Sequence, residues 1–156
     1  MVTGFEPVYD ENSKVLILGS FPSVKSREIN FYYGHPRNRF WRIMEKAAGI
    51  GNLNTIEEKK RFLINNRIAL WDIVMRCEIK GSSDSSIKIS EVADIKKLMG
   101  SAAINKIICN GKTAYGIFIR NFPEYADITQ CLPSTSPANF KFDENMWLSA
   151  LSELFE

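Results

Sequence analysis

Histidine and cysteine are scarce in this sequence, and each shortage closes off a kind of chemistry. His35 is the one histidine among 156 residues. A nucleophile–base triad therefore has a single source of imidazole, and no spacing singles out a partner among Ser20, Ser23, Ser134 and Ser136. Cys77, Cys109 and Cys131 are scattered and form no CxxC pair, which argues against a disulfide framework, structural zinc or an iron–sulfur cluster. With dispersed acids and one imidazole there is no metal-ligand pattern, so no metal is expected. Long apolar runs are also lacking: Val15-Leu16-Ile17-Leu18 falls far short of the ~18 residues of a membrane span. Residues 1–14 carry Glu6, Asp10 and Glu11 with no apolar stretch and do not read as a secretory signal. The expectation is a reduced, cytoplasmic setting. Gly111-Lys112-Thr113 invites a phosphate-loop reading, but the glycine required five residues earlier is Lys106. A strand-to-helix turn is the simpler account.

What is present is enough for a packed core. Apolar residues make up 45% of the chain and charged ones 24%. The length fits one domain over residues 1–156 that buries roughly 70% of its unfolded surface. Lys and Arg number 20 against 18 Asp and Glu, so the net charge says little and its distribution says more. Between positions 25 and 46, Lys25, Arg27, Arg37, Arg39, Arg42 and Lys46 face only Glu28 and Glu45. Phe31, Tyr32, Tyr33, Phe40 and Trp41 interleave with them. Cations for phosphates and flat rings for bases are what a nucleic-acid contact uses; a solvated helix face beside a core aromatic cluster gives the same pattern.

Periodicity predicts strands at residues 14–19, 66–74, 105–109 and 127–132. Helices are predicted after Asn38 as N-cap, with Phe40, Ile43, Met44 and Ala47 on one face and Gly49 at the end. Thr55 and Glu58 form a capping box for a further helix. Residues 94–99, 112–120 and 143 onward complete the set, the last with Trp147, Ala150, Leu151 and Leu154 as its stripe. Residues 80–88, including Gly81-Ser82-Ser83-Asp84, read as a polar loop. Alternating strands and helices argue a three-layer α/β/α fold with a parallel sheet. Ligands bind beyond the carboxyl ends of such strands. Residues 19–23, Trp71-Asp72, Asn110-Gly111 and 132–139 all fall there.

Those segments carry a resemblance. Gly19-Ser20-Phe21-Pro22-Ser23, Tyr32-Tyr33-Gly34-His35-Pro36-Arg37-Asn38-Arg39-Phe40-Trp41, Leu70-Trp71-Asp72, the Gly-Ser-x-Asp-x-x-Ile run at 81–87, Asn110-Gly111-Lys112-Thr113-Ala114 and Leu132-Pro133-Ser134-Thr135-Ser136-Pro137-Ala138-Asn139 occur in this order. From about residue 14 to 155 the chain resembles the uracil-DNA glycosylase superfamily, and within it the hypoxanthine-DNA (deoxyinosine) glycosylase branch, family six. The resemblance implies a four-stranded parallel sheet of order 2-1-3-4. It implies a monofunctional, cofactor-free base-excision-repair hydrolase that removes deaminated bases, hypoxanthine first, with uracil or xanthine as candidates. The partner would be DNA containing such a base, met by a monomer. With no amine nucleophile near the motifs, the product would be an abasic site.

The resemblance also implies roles. Other branches place an Asp or Asn where Phe21 stands, to position water; in this branch Asn38 takes over, orienting water rather than acting as a base. Tyr32 or Tyr33 would stack on the everted base, Phe21 would form the opposite wall, and Asp72 and Asn110 would lie in the base pocket. Ser23, His35, Arg37, Ser134, Thr135 and Ser136 would contact phosphates, and Pro137, Ala138 and Asn139 would enter the minor groove. The best-known uracil enzymes begin the last motif with histidine, and here Leu132 stands in its place. Phe21 and Leu132 together motivate the alternative of a catalytically inactive nucleic-acid-binding domain. An enzyme on free nucleosides is a third reading, opposed by the basic aromatic stretch.

Overall fold

Leu16, Ile17 and Leu18 have no accessible surface. A strand buried on both faces must lie inside a sheet with layers above and below it. The computed structural model describes residues 1–78 and 88–155; the 81–87 motif and its Gly81-Ser82-Ser83-Asp84 loop lie outside the described residues. The strands are β1 (Val2–Thr3), β2 (Val15–Gly19), β3 (Ile68–Asp72), β4 (Val74–Glu78), β5 (Lys88–Val92), β6 (Lys106–Asn110) and β7 (Thr129–Leu132). The helices are α1 (Val24–Ile29), α2 (Phe40–Ala48), α3 (Ile56–Asn65), α4 (Ile95–Ser101), α5 (Lys112–Asn121) and α6 (Glu144–Leu151).

The architecture is three-layer α/β/α. β3, β2, β6 and β7 form a parallel sheet in that order, so its strands run second, first, third and fourth in chain sequence, as the resemblance implied. Register pairs Gly19 with Asp72, Leu18 with Cys109 and Asn110 with Leu132. All four strands therefore stop nearly level at their carboxyl ends. The direction of winding reverses between β2 and β6, where a crevice opens in sheets of this kind. Each Leu or Ile removed from water in the centre contributes about 1.5–3 kcal/mol.

Local signals explain most helix ends. Thr55 and Glu58 close the expected capping box on α3, Asp94 caps α4 and Asp143 caps α6, and Gly49 ends α2 at φ 69°. Four features differ from the sequence reading. The cap position of α2 is Arg39, although the Asn38 side chain accepts from the Phe40 N–H at 2.9 Å. The expected fourth strand loses its first residues to a 3-10 turn over Pro123–Ile128, which starts at a proline. A second, antiparallel sheet of order β1-β4-β5 and the short helix α1 were not foreseen. The β4–β5 register shifts between Val74 and Cys77, which breaks the alternation that reveals a strand. α1 buries only Ser26 and shows no apolar stripe.

Candidate active site

The loops leaving the level strand ends enclose a cleft of about 690 Å³, within the range of small-ligand sites. Its first wall follows β2. Gly19 is the pivotal residue: a Cβ there would collide with Asp72 Oδ1 and stand 2.8 Å from the Tyr33 hydroxyl. Only glycine lets the carboxylate at the end of β3 and the phenol of the next wall crowd this strand end. Phe21 is half-buried, with the Arg27 guanidinium 5.7 Å from its ring centre. Ser23 caps α1: its Oγ accepts from the Ser26 N–H and donates to Ser26 Oγ, which in turn accepts from the Gly34 N–H at 2.9 Å.

The second wall is the turn over residues 32–38. Tyr32 is 2% exposed, donates its hydroxyl to the Glu6 carbonyl, and packs edge-on against Phe5 and Phe31. Tyr33 behaves differently. It adopts φ 54°, a backbone region costly for a bulky residue, and its ring stacks on Phe40 with centres 4.2 Å apart. Its hydroxyl is buried and meets no hydrogen-bond partner among the described residues. Burial, and then the Asp72 charge, raise its pKa well above the ordinary phenol value. The group is a neutral donor at any physiological pH. The turn closes with the Asn38 N–H on the His35 carbonyl and the Arg37 N–H on His35 Nδ1, at 2.9 and 3.0 Å. Asn38 is half-buried and lines the cleft. Its Oδ1 takes the first N–H of α2, and its Nδ2 has no protein acceptor among the described residues.

The third wall joins β6 to residues 133–139. Asn110 donates Nδ2–H to Thr135 Oγ1 at 3.0 Å and accepts the Thr135 N–H at 2.9 Å. Gly111 holds φ 98°, and a Cβ there would press on the Ser134 Cβ at 3.1 Å. Ser134 Oγ accepts the Ser136 N–H, the Ser134 carbonyl accepts Asn139 Nδ2–H, and the Pro133 carbonyl accepts the Trp147 indole N–H. The loop is therefore braced against itself, β6 and α6. Among the described residues, no group of three or more His, Cys, Asp or Glu could hold a metal ion.

A sequence model of the uracil DNA glycosylase superfamily matches residues 6–154. The chain belongs to that superfamily. A protein of Methanosarcina acetivorans named hypoxanthine DNA glycosylase is 40% identical over 146 residues, covering 91% of this chain and 90% of its own. A protein of the same name from Methanosarcina barkeri is 39% identical over 115 residues, covering 70% of each chain. The solution NMR structure of a Methanosarcina acetivorans protein, provisionally described as a uracil DNA glycosylase, superposes with TM-score 0.86 at 36% identity over 99% of this chain and 98% of that one.

For a superfamily member, the residues read from sequence divide into three groups. Phe21, Tyr32, Tyr33, Asp72, Asn110, Ser23, His35, Asn38, Ser134, Thr135, Ser136, Pro137, Ala138 and Asn139 all border the one cleft. Several of these are committed to the protein itself. Thr135 is 1% exposed with its hydroxyl and N–H on Asn110, so it braces the loop rather than offering a hydroxyl to a phosphate. The Asn110 amide is spent in the same exchange. Tyr32 belongs to the aromatic core, and Ser23 works as a helix cap. Arg37 is exposed and stands outside the cleft lining. Leu132 is 1% exposed and is core.

Residues beyond the candidate set also border or flank the cleft. Lys112, with Thr113, borders the cleft from the first turn of α5, which corrects the expectation that no amine stands near the motifs. Phe140 is 94% exposed, immediately beyond Asn139. An aromatic at a loop tip next to small polar residues was the available signal. Asp72 is 5% exposed, a buried carboxylate facing the cleft.

Proposed function

We propose that this protein is a monofunctional DNA glycosylase that excises deaminated bases, hypoxanthine first, by hydrolysis to an abasic site. The observation that carries the reading is the cleft itself: Asn38, Tyr33 and Asp72 meet in one hollow in a chain whose relatives are named hypoxanthine DNA glycosylase. The expected substrate is DNA with an everted deoxyinosine, the working unit a monomer, and the setting cytoplasmic.

The chemistry follows from the groups available. Breaking the bond between C1′ and the base nitrogen sends its electron pair to the base and leaves an oxocarbenium-like sugar. A water then bonds C1′ and releases a proton to solvent or to the departing base. A neutral amide is too weak a base to take that proton at pH 7. Asn38 instead orients the water, its amide oxygen accepting one water hydrogen alongside the Phe40 N–H. The lactam edge of hypoxanthine presents a carbonyl oxygen next to an N–H. Tyr33 would donate to the oxygen and Asp72 would accept from the N–H. Adenine offers the reverse order of donor and acceptor, so the same pair disfavours it by leaving buried groups unmatched. A donor aimed at the oxygen also stabilises the charge that the leaving base develops. Phe21 would supply an apolar wall that excludes bulk water. His35, Ser134 and Ser136 would meet flanking phosphates. Pro137, Ala138 and Asn139 would approach the groove.

The test is an oligonucleotide with deoxyinosine, deoxyuridine or deoxyxanthosine, incubated in EDTA and then treated with alkali. Cleavage at deoxyinosine without any adduct on borohydride reduction is expected. A borohydride adduct through Lys112 would overturn hydrolysis as the mechanism. Asn38→Ala should lower the single-turnover rate by about 10²–10³. Tight, salt-sensitive DNA binding with no product on any substrate would favour the inactive binding domain suggested by Phe21 and Leu132.

A further inference from the structure

Beside the cleft, α2 bears a second depression of about 470 Å³, lined by Arg39, Arg42, Ile43, Lys46, Phe142 and Glu144. The spacing 39, 42, 46 puts the three cations on one helix face. Arg39 is fixed there. Its guanidinium lies 4.7 Å from the Phe142 ring centre, Nη1–H donates to the Ser136 carbonyl at 3.0 Å, and its own N–H donates to the Thr135 carbonyl at 3.1 Å. Arg39, which lines the depression, thus bolts it to the loop that walls the cleft.

The cations here are poorly neutralised. Lys46 pairs with Glu144, the one carboxylate of the lining. Arg42 is exposed and donates to the Arg37 carbonyl at 3.5 Å. No carboxylate lies within ion-pair distance of Arg37, Arg39 or Arg42 among the described residues. Lys25, Arg76 and Lys96 pair likewise with Glu28, Glu91 and Glu124, so what marks this lining is the gathering of three cations around a single carboxylate. A groove with that excess of positive charge and an arginine fork suits phosphodiester oxygens.

We infer that the face of α2 carrying Arg42 and Lys46 is a track for the backbone of the duplex flanking the everted nucleotide. This rests on the glycosylase reading for the identity of the partner. Contacts of this kind carry no sequence information and hold the duplex in register over the cleft. Lys46 would exchange Glu144 for phosphate at little cost, because both partners are solvent-exposed and such a pair contributes little.

The test is fluorescence anisotropy of two labelled duplexes, one with deoxyinosine and one undamaged, across a salt series. The proteins are wild type, Arg42→Gln, Lys46→Gln, the double variant and Lys97→Gln, an exposed charge on α4 outside both depressions. The slope of log affinity against log salt should fall by about 0.9 for each phosphate that the variant no longer neutralises. Both duplexes should weaken by the same factor, and Lys97→Gln should match wild type. Inorganic phosphate at fixed ionic strength should not displace the duplex, since a lone phosphate lacks the spaced array; displacement would point to a free-phosphate site and overturn the track. A double variant with wild-type slope and affinity would do the same. Product formation by wild type is scored separately: its absence defeats the glycosylase reading, whereas altered binding without it leaves the track standing.

Discussion

Asn110 and Thr135 hold each other through two reciprocal hydrogen bonds at 3.0 and 2.9 Å, across the gap between the end of β6 and the loop after β7. Both residues are buried, so neither side chain can turn to bulk water for a replacement. Thr135→Val keeps the shape and removes the hydroxyl, leaving Asn110 Nδ2 without an acceptor. The expected loss is about 1–3 kcal/mol of stability, read by urea melts. Excision should slow as well, because the wall at residues 133–139 loosens. An unchanged melt would show that water replaces the hydroxyl and that the clamp is not structural.

Tyr33→Phe separates stability from function. The hydroxyl is buried and meets no hydrogen-bond partner among the described residues, and such a group costs about 1–3 kcal/mol while unmatched. The free protein should therefore become more stable, by about 1 kcal/mol at the low end of that range. Excision of hypoxanthine should fall about tenfold or more, with less discrimination against adenine. A variant that is both less stable and fully active would place the hydroxyl in packing, outside base recognition.

The same phenols give a pH signature. Burial is the leading cause that lifts Tyr32 and Tyr33 far above the ordinary value of 10.0, with the Asp72 charge second. Unfolded, both lose their protons near pH 10; folded, they keep them. Above that pH the unfolded chain binds fewer protons than the folded one, so stability falls as pH rises past about 10 and these groups leave it untouched below. Urea midpoints between about pH 8 and pH 11 check this. Tyr33→Phe should flatten the fall, and a wild-type midpoint constant to about pH 11 would contradict it.

Phe140 is 94% exposed beside Asn139. Phe140→Ala should leave the melt within about 0.5 kcal/mol of wild type. If the ring presses on the base stack, duplex excision should drop about tenfold, in line with ring–base stacking of about 1–3 kcal/mol, and single-stranded substrate should be affected less. Equal loss on both strands would move Phe140 out of that role.

The parallel sheet was legible because β2, β3 and β6 are buried along nearly their whole length and read as largely apolar runs, and because Thr55, Asp94 and Asp143 mark helix starts in plain chemistry. α1 was not legible, since a helix that buries only Ser26 leaves no stripe. β4 was hidden by its bulge. At the cleft, the segments that converge could be read, because strand ends must share an edge. The allocation of polar atoms within them could not. Whether Thr135 turns outward to a phosphate or inward to Asn110 depends on loop geometry that spacing does not encode. Likewise, Tyr32 and Tyr33 are neighbours with the same chemistry. Only the backbone at Tyr33, at φ 54°, sends one ring to the core and the other hydroxyl toward Asp72.

Because the four strands of the parallel sheet terminate together at Gly19, Asp72, Asn110 and Leu132, the segments around the hollow spring from one rigid edge. Arg39 and the Asn110–Thr135 pair fasten neighbouring segments to one another. A lineage drifting toward a different damaged base would thus retune adjoining panels together rather than one at a time.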